Sequence, residues 1–313
     1  MAKCLYCYQE LSPNEKDMHA ACAKKIFGTK KMPVMNYSLG QLNRLAEKII
    51  QEQTSLTGVQ PKLSLHLDDN AGRTRLTIVG LWGSYICKPQ TKHFRQMPEV
   101  EDLTMHLAEV AGIAVVPHSL MRMADNSICY ITRRIDRTAN GDKLAMEDMC
   151  QLTNRPTEYK YKGSYEQIGK AIIKYSSMPK MDVTNYFETV LFSWIVGNND
   201  MHLKNFSLYS PNDADVRLTP AYDLINAAII NTADDEELAL TLNGRKKNLC
   251  RNDFLKAAES MEIKSVVVER LITKLVRLLP VFEQKINESF LSKDLKKKYL
   301  TLLKNRLKHL QET

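Results

Sequence analysis

The spacing of apolar residues changes partway along this chain of 313 residues, and the change limits the folds that it can adopt. Up to about residue 135, the chain contains stretches in which apolar and polar residues alternate, as at Leu63, Leu65 and Leu67, which is the period of a β-strand. From Met146 onward the apolar residues recur at helical spacing. A β-rich half followed by a helical half, without regular strand–helix alternation, predicts an α+β fold and argues against a doubly wound parallel sheet.

Helix and turn signals divide the two halves into elements. Strands are predicted near residues 63–67, 76–88, 115–123 and 127–135, and helices at 39–53, 98–111, 185–197, 266–279 and in the tail from 290 to 313. We expect three segments: a Cys/His segment over residues 1–35, an N-terminal lobe over 36–137 and a helical C-terminal lobe over 138–313.

Composition excludes some classes of protein. No apolar run approaches the roughly 20 residues needed to span a bilayer, and the N-terminus lacks the apolar stretch of a secretory signal, so we expect a cytoplasmic protein without a membrane partner. Seven cysteines, an odd number, suit reduced thiols better than a disulfide framework. The net charge of +8 is concentrated in the tail, where an amphipathic helix with a solvated basic face is expected, and a patch for an acidic partner is the alternative.

The first segment contains a candidate metal site. Cys4, Cys7, His19 and Cys22 form C-x2-C, eleven residues and then H-x2-C. Two close pairs of this kind can surround one tetrahedral Zn²⁺ with three thiolates and an imidazole. The alternative is a small helical hairpin with four unligated residues.

The stretch GNNDMHLKNF, residues 197–206, directly follows the predicted buried helix. Four residues separate Asp200 from Asn205, the spacing of the catalytic Asp and the metal-binding Asn in protein kinases. A predicted hairpin returns the chain so that Asp223 lies near Asn205, and together these oxygen ligands suit Mg²⁺. Lys204 adds a cation for developing phosphate charge. The alternative is an Asn-rich turn that joins a helix to a strand.

The first half offers parts of a nucleotide site. Lys88 ends a predicted strand, where its ammonium can reach phosphates, and Glu101 on the next helix can pair with it. Asp136, in TRRIDR, is suited to a ribose hydroxyl, and the loop TGVQPK, residues 57–62, can cradle phosphate with backbone N–H groups. The alternatives are structural: Lys88 is then a surface lysine, TRRIDR an ion-paired loop and TGVQPK a simple turn.

Seven stretches, taken together and in order, resemble one family. They are SLTGVQPKLSL, YICKP, EDLTMHLAEVAGI, RRIDR, EDMCQL, IVGNNDMHLKNFSLY and LTPAYDL, and they cover roughly residues 50–250. The chain resembles the HipA-like serine/threonine kinases, toxins of bacterial toxin–antitoxin systems. It is most similar to the short HipT type, because a Cys/His cluster stands where long members carry an N-terminal subdomain.

The resemblance implies a two-lobed protein-kinase-like fold that uses ATP and Mg²⁺. It implies that Asp200 is the catalytic base, that Asn205 and Asp223 bind Mg²⁺, and that Ser55 and Thr57 are autophosphorylation sites. The nucleotide-binding residues that it implies are Thr57, Gly58, Val59, Gln60, Pro61, Lys62, Lys88, Arg133, Arg134, Ile135, Asp136, His202, Leu203, Lys204, Asn205, Tyr222 and Asp223.

The same resemblance implies partners. The expected substrate is an aminoacyl-tRNA synthetase, and the expected antitoxins are a small HipS-like protein and a DNA-binding HipB-like protein. Two other functions stay open: a small-molecule kinase with the same metal geometry, and a basic, zinc-containing nucleic-acid-binding protein. Direct binding of nucleic acid is less favoured, because the basic residues are not interleaved with exposed aromatic residues.

Overall fold

The computed structural model describes residues 2–52, 62–70, 73–79, 83–138, 140–212 and 214–312. Its strands are β1 (Val34–Met35), β2 (Leu63–Asn70), β3 (Arg73–Ile78), β4 (Tyr85–Pro89), β5 (His118–Arg122), β6 (Ile128–Arg133), β7 (Met146–Asp148), β8 (Ser207–Tyr209) and β9 (Arg217–Leu218). Its α-helices are α1 (Ala20–Phe27), α2 (Leu39–Glu52), α3 (Met97–Val110), α4 (Met149–Leu152), α5 (Tyr165–Tyr175), α6 (Pro179–Ile195), α7 (Ala227–Ile230), α8 (Arg251–Ser260), α9 (Ser265–Arg277), α10 (Leu279–Glu288) and α11 (Lys293–Gln311).

The chain forms two compact units, which are described separately. The first unit consists of Met1–Asp102, Val116–Asp142 and Glu288–Phe290. The second unit consists of Leu103–Val115, Lys143–Asn287 and Leu291–Thr313.

A six-stranded sheet organises the first unit. Its strand order is β1-β3-β2-β4-β6-β5, with β1 parallel to β3 and the other neighbours antiparallel. On β4, Lys88 lies opposite Tyr130 of β6, so the predicted nucleotide lysine sits on an interior strand of the sheet. One apolar core joins buried side chains of these strands to α1 and to the segment before it.

The helix α6 is the central element of the second unit. Its apolar positions are so widely distributed that nearly every side chain from Val183 to Ile195 is buried, as the sequence predicts. The helix begins with Pro179, a residue tolerated in a first turn, and the chain leaves it through Gly197 at φ 74°. A three-stranded sheet has the order β7-β8-β9; β7 precedes α6 in the chain, whereas β8 and β9 follow it and form the predicted hairpin.

Pro280 has a different role from the one that its position suggests. The sequence predicts a helix over 266–279 that the proline ends, but α9 already ends at Arg277. Pro280 occupies the second position of α10. A proline is accommodated there because the first N–H groups of a helix have no partner within the helix.

Among the described residues, no helix combines the length and the apolar character that crossing a membrane would need.

Candidate active site

The polar loop after α6 begins at a rigid point. At Gly197 an added Cβ would lie 2.8 Å from Oδ1 of Asn226, and the positive φ of this residue also favours glycine. Asn198 is fully buried, and its Oδ1 accepts a hydrogen bond of 3.2 Å from the backbone N–H of Asp200. The loop therefore presents Asp200 from a fixed backbone.

The side chain of Asn205 is tied to the same loop. Its Nδ2 donates to the backbone carbonyl of Asp200 at 3.0 Å, and its backbone N–H donates to the carbonyl of His202 at 3.0 Å. Because the amide nitrogen is engaged, Oδ1 of Asn205 is the atom that remains available to accept or to bind a cation. Residues Leu203–Asn205 form a short 3-10 turn, so the strand β8 begins two residues later than Asn205.

The hairpin returns the segment before Asp223 to this loop. The hydroxyl of Tyr222 donates to the carbonyl of Lys204 at 3.1 Å and lies 2.6 Å from Oγ of Ser207. Asp223 itself adopts a left-handed conformation with φ 57°, which costs free energy for a residue with a side chain. Such strain is common at functional sites, where the surrounding structure maintains it.

His202 lies among the acidic residues. Burial lowers its pKa to about 4, although the charges of Asp200 and Asp223 act in the opposite direction. The imidazole is therefore neutral near pH 7, and both carboxylates are close enough to influence it. Its Nδ1 is buried and has no hydrogen-bond partner within the part of the chain that the structure describes.

Tyr161 contacts Asp200, and no sequence motif identified it. Its hydroxyl donates to Oδ1 of Asp200 at 2.6 Å, and its ring packs edge-on against His202 with centroids 4.9 Å apart. Burial, the charge of Asp200 and this hydrogen bond raise the pKa of Tyr161, which stays protonated. The hydroxyl comes from a segment 39 residues earlier in the chain, a separation at which local spacing carries no signal.

Lys204 is engaged within its own unit. Its ammonium lies 2.6 Å from Oδ2 of Asp148, which also caps the N-terminus of α4. The neighbouring Leu203 is buried, and its backbone N–H donates to the carbonyl of Lys160 at 3.1 Å. A role for Lys204 in balancing phosphate charge stays a prediction.

Lys88 and Glu101, in the first unit, form the ion pair that the sequence suggested. The ammonium of Lys88 donates to Oε1 of Glu101, and the two residues are only 3% and 1% exposed. The same ammonium lies 5.4 Å from the ring centroid of Tyr130, within range of a cation–π contact. The alternative of a surface lysine is therefore wrong. A charged pair buried this deeply is expensive to desolvate and is commonly kept for a functional reason.

The segment after β6 is an ion-paired loop, the alternative that the sequence left open. The guanidinium of Arg134 binds both carboxylate oxygens of Asp136, at 2.8 and 2.6 Å, and Arg137 adds a third contact at 2.9 Å. Burial by itself would raise the pKa of Asp136, but the two arginines outweigh it and hold the pKa below its usual value. Arg133 ends β6 and Ile135 lies in the turn that follows. Contacts of these residues with adenine and ribose stay predictions.

Most of the predicted phosphate loop lies outside the described residues. This applies to Ser55, Thr57, Gly58, Val59, Gln60 and Pro61. Lys62 is described: it is exposed and directly precedes β2. The four Cys/His residues of the first segment come together, with candidate ligand atoms that all lie within 4.8 Å of one another.

The arrangement of strands and helices, with an acidic loop after a buried helix, is that of a protein-kinase-like fold. Two solved structures share it. The Shewanella oneidensis MR-1 structure of the toxin–antitoxin system HipA, HipB and operator DNA has a TM-score of 0.67 and 21% identity, over 85% of this chain and 71% of that chain. The Helicobacter pylori proinflammatory kinase CtkA has a TM-score of 0.53 and 15% identity, over 79% of this chain and 93% of that chain. The predicted fold class is confirmed.

A family model for the HipA-like C-terminal domain matches residues 54–281. The chain belongs to this family, and the resemblance that the sequence motifs indicated is confirmed at that level.

Curated relatives include a putative kinase of Haemophilus influenzae, 25% identical over 77% of this chain and 77% of its own length. The putative kinases Y4dM and Y4mE of Sinorhizobium fredii are 29% and 31% identical, over 68% and 55% of this chain. The matched parts amount to 55% and 42% of the lengths of those two proteins.

Proposed function

We propose that this chain is an ATP- and Mg²⁺-dependent serine/threonine protein kinase that acts as the toxin of a bacterial toxin–antitoxin system. The observation that carries the proposal is the 2.6 Å hydrogen bond between a hydroxyl, that of Tyr161, and the carboxylate of Asp200. A general base must lie within about 2.6–3.2 Å of the oxygen whose proton it accepts. Asp200 lies within this distance of the Tyr161 hydroxyl oxygen, so its carboxylate is accessible to a hydroxyl group.

The residues of the second unit fit a magnesium ion. Asp223 supplies a carboxylate and Asn205 an amide oxygen, since its nitrogen is engaged with the Asp200 carbonyl. Hard oxygen atoms of this kind are the ligands that Mg²⁺ prefers. Bound with ATP, the ion would offset the negative charge of the phosphates.

The chain's own groups perform the remaining work of the proposed reaction. Asp200 accepts the proton of a serine or threonine hydroxyl while that oxygen bonds to the γ-phosphorus and ADP leaves. Neutral His202 packs beside the base without adding positive charge near pH 7. Lys88, held by Glu101 in the first unit, is the proposed partner of the nucleotide phosphates.

The proposed substrate is an aminoacyl-tRNA synthetase, whose phosphorylation would stop translation. The proposed antitoxins are a HipS-like protein and a HipB-like protein; the HipA of Shewanella, to which this chain is similar, was solved with HipB and operator DNA. Phosphate on Ser55 or Thr57 would add a charge of about −1.5 to −2 beside the proposed phosphate loop. We expect this phosphate to pull the loop out of the ATP site and to inactivate the enzyme.

The test compares wild type with Asp200→Asn, which removes the base but keeps the size of the side chain. The matched control is Asp235→Asn, because Asp235 has a side chain that is 81% exposed. Each protein is incubated with γ-labelled ATP, Mg²⁺ and bacterial lysate, and each is expressed in growing cells. We expect wild type and the control to label a protein and to arrest growth, and Asp200→Asn to do neither.

Two outcomes would refute this function. Equal growth arrest by wild type and Asp200→Asn would show that the toxicity does not depend on phosphoryl transfer. Label that enters a small metabolite instead of a protein would favour the small-molecule kinase.

A further inference from the structure

The strongest feature that the proposed reaction does not use is the thiol–imidazole cluster, formed by Cys4, Cys7, His19 and Cys22. All four candidate ligand atoms lie within 4.8 Å of one another, and the three cysteines are free thiols. The Nδ1 of His19 is 3.4 Å from the sulfur of Cys7 and 3.9 Å from that of Cys22. Ligand atoms around a tetrahedral zinc are separated by about 3.5–3.8 Å, given Zn–S and Zn–N bonds of about 2.3 and 2.0 Å.

The backbone around the first pair is shaped as a tight turn. The N–H of Tyr8 donates to the carbonyl of Cys4 at 3.0 Å, and the N–H of Cys4 donates to the carbonyl of Gln9 at 2.8 Å. Tyr8 adopts a left-handed φ of 69° directly after Cys7. A turn of this kind directs the sulfurs of two cysteines that are three positions apart to the same side.

The second pair is presented by a helix terminus. His19 is the N-cap residue of α1, and Cys22 lies in the first turn of that helix. Residues three positions apart on a helix lie on the same face, so the imidazole and the thiol point in one direction.

The imidazole is oriented by a further contact. Its Nε2 is 3.0 Å from the backbone carbonyl of Glu10, which directs Nδ1 toward the sulfurs. Metal-binding histidines commonly donate their second ring N–H to a carbonyl or carboxylate in this way. Glu15 lies on the same side of the ring, with Oε2 3.8 Å from Nε2.

We infer that the thiol–imidazole cluster is a structural zinc site with three thiolate ligands and one imidazole. Four protein ligands complete a tetrahedral shell and leave no position for water, which is the pattern of structural rather than catalytic zinc. Sulfur-rich tetrahedral sites favour zinc over the hard cations that bind oxygen.

The site joins the N-terminal segment to the sheet of the first unit. Cys4 and Cys22 belong to the same apolar core as the strand residues Tyr85 and Cys87, and the hydroxyl of Tyr85 donates to the carbonyl of Ile26 in α1 at 3.2 Å. Tyr85 begins β4, the strand that carries Lys88. Zinc would thus brace the turn and the helix that pack on this strand.

The decisive measurement is the metal content of full-length protein purified under reducing conditions without chelator. We expect one zinc per chain in wild type, and a chelator that removes it should lower the melting temperature. Cys250→Ser is the matched control, because Cys250 is an N-cap residue outside the cluster and serine caps helices well. This variant should keep its zinc.

A cysteine-to-serine change within the cluster can prevent folding, so a substitution that keeps four ligands is also needed. His19→Cys should still bind one metal and fold. In protein reconstituted with Co²⁺, its absorption spectrum should shift from that of a three-sulfur, one-nitrogen site to that of a four-sulfur site. An unchanged spectrum would exclude His19 as a ligand. Wild-type protein that contains no zinc and takes up no Co²⁺, or that holds these cysteines as disulfides, would overturn the inference.

Discussion

Substitutions in the buried ion pair between Lys88 and Glu101 can distinguish the effect of the pair on stability from its effect on kinase activity. Lys88→Met removes the ammonium, keeps most of the side-chain volume and breaks the ion pair with the Glu101 carboxylate, which is 1% exposed. Breaking a buried pair in this way typically costs about 3–5 kcal/mol. A domain of this size is stable by only about 5–15 kcal/mol, and each kcal/mol lost lowers its melting temperature by about 2–4 °C, so the melting temperature should fall by roughly 6–20 °C.

The double variant Lys88→Met/Glu101→Leu provides the control. It removes both charges, and apolar replacements of buried pairs are often neutral or stabilising, so most of the lost stability should return. Kinase activity should stay absent from both variants, because Lys88 is the proposed nucleotide lysine. Urea unfolding followed by circular dichroism, together with the labelling assay, measures both effects. A cost below about 1 kcal/mol for Lys88→Met, or a double variant no more stable than the single one, would refute the reasoning.

Three further predictions concern the second unit. Tyr161→Phe removes the hydroxyl that competes with a substrate for Asp200. Hydrogen bonds to charged groups contribute about 1.5–3 kcal/mol, and the 44% exposure of Tyr161 reduces that contribution, so the KM for the protein substrate should fall about threefold to tenfold. A lower kcat would instead indicate a positioning role for Tyr161. The pKa of His202 is lowered to about 4, so the folded state binds fewer protons than the unfolded state between pH 6.5 and 4. The free energy of unfolding should therefore decrease as the pH is lowered through that window, by up to about 3 kcal/mol below pH 4. Unfolding curves of His202→Gln should lack this loss. Gly197→Ala introduces a Cβ at φ 74° and 2.8 Å from Asn226 Oδ1, so urea unfolding should show a cost of about 1–2 kcal/mol or more, and an unchanged midpoint would contradict the steric argument.

The tail helix α11 shows what the spacing of apolar residues can predict and what it cannot. Helical spacing predicts one stripe through Leu295, Tyr299, Leu302, Arg306 and Leu310. The structure buries Leu295, Tyr299 and Leu310, but Leu303 and Leu307 are buried where Leu302 and Arg306 were expected, and those two are half-buried. The same spacing placed Arg306 on that stripe, where its guanidinium lies 4.5 Å from the ring centroid of Trp194 and 3.4 Å from Glu237. Periodicity identifies the face of a helix, but the partner of a long polar side chain depends on which distant element packs there.

The candidate site shows the same division. The spacing from Asp200 to Asn205 and the hairpin after it are local, so the sequence sufficed to predict both. The contact of Tyr161 with Asp200, and the pairing of Asp136 with two arginines where a ribose contact was expected, depend on how side chains share space in the folded chain. Rotamers and packing decide such contacts, and neither is encoded in spacing.

The sequence by itself determined the β-rich first half and the helical second half, the buried helix α6, the family motifs and the spacing of the Cys/His residues, because each depends on backbone periodicity or on residues close in the chain. Tertiary structure decided which polar groups meet: it buried Lys88 against Glu101, depressed the pKa of His202 and gathered four candidate metal-ligand side chains at one point. The physical reason is that burial and electrostatic coupling arise from segments far apart in sequence. Their strength depends on distances that only the folded chain defines.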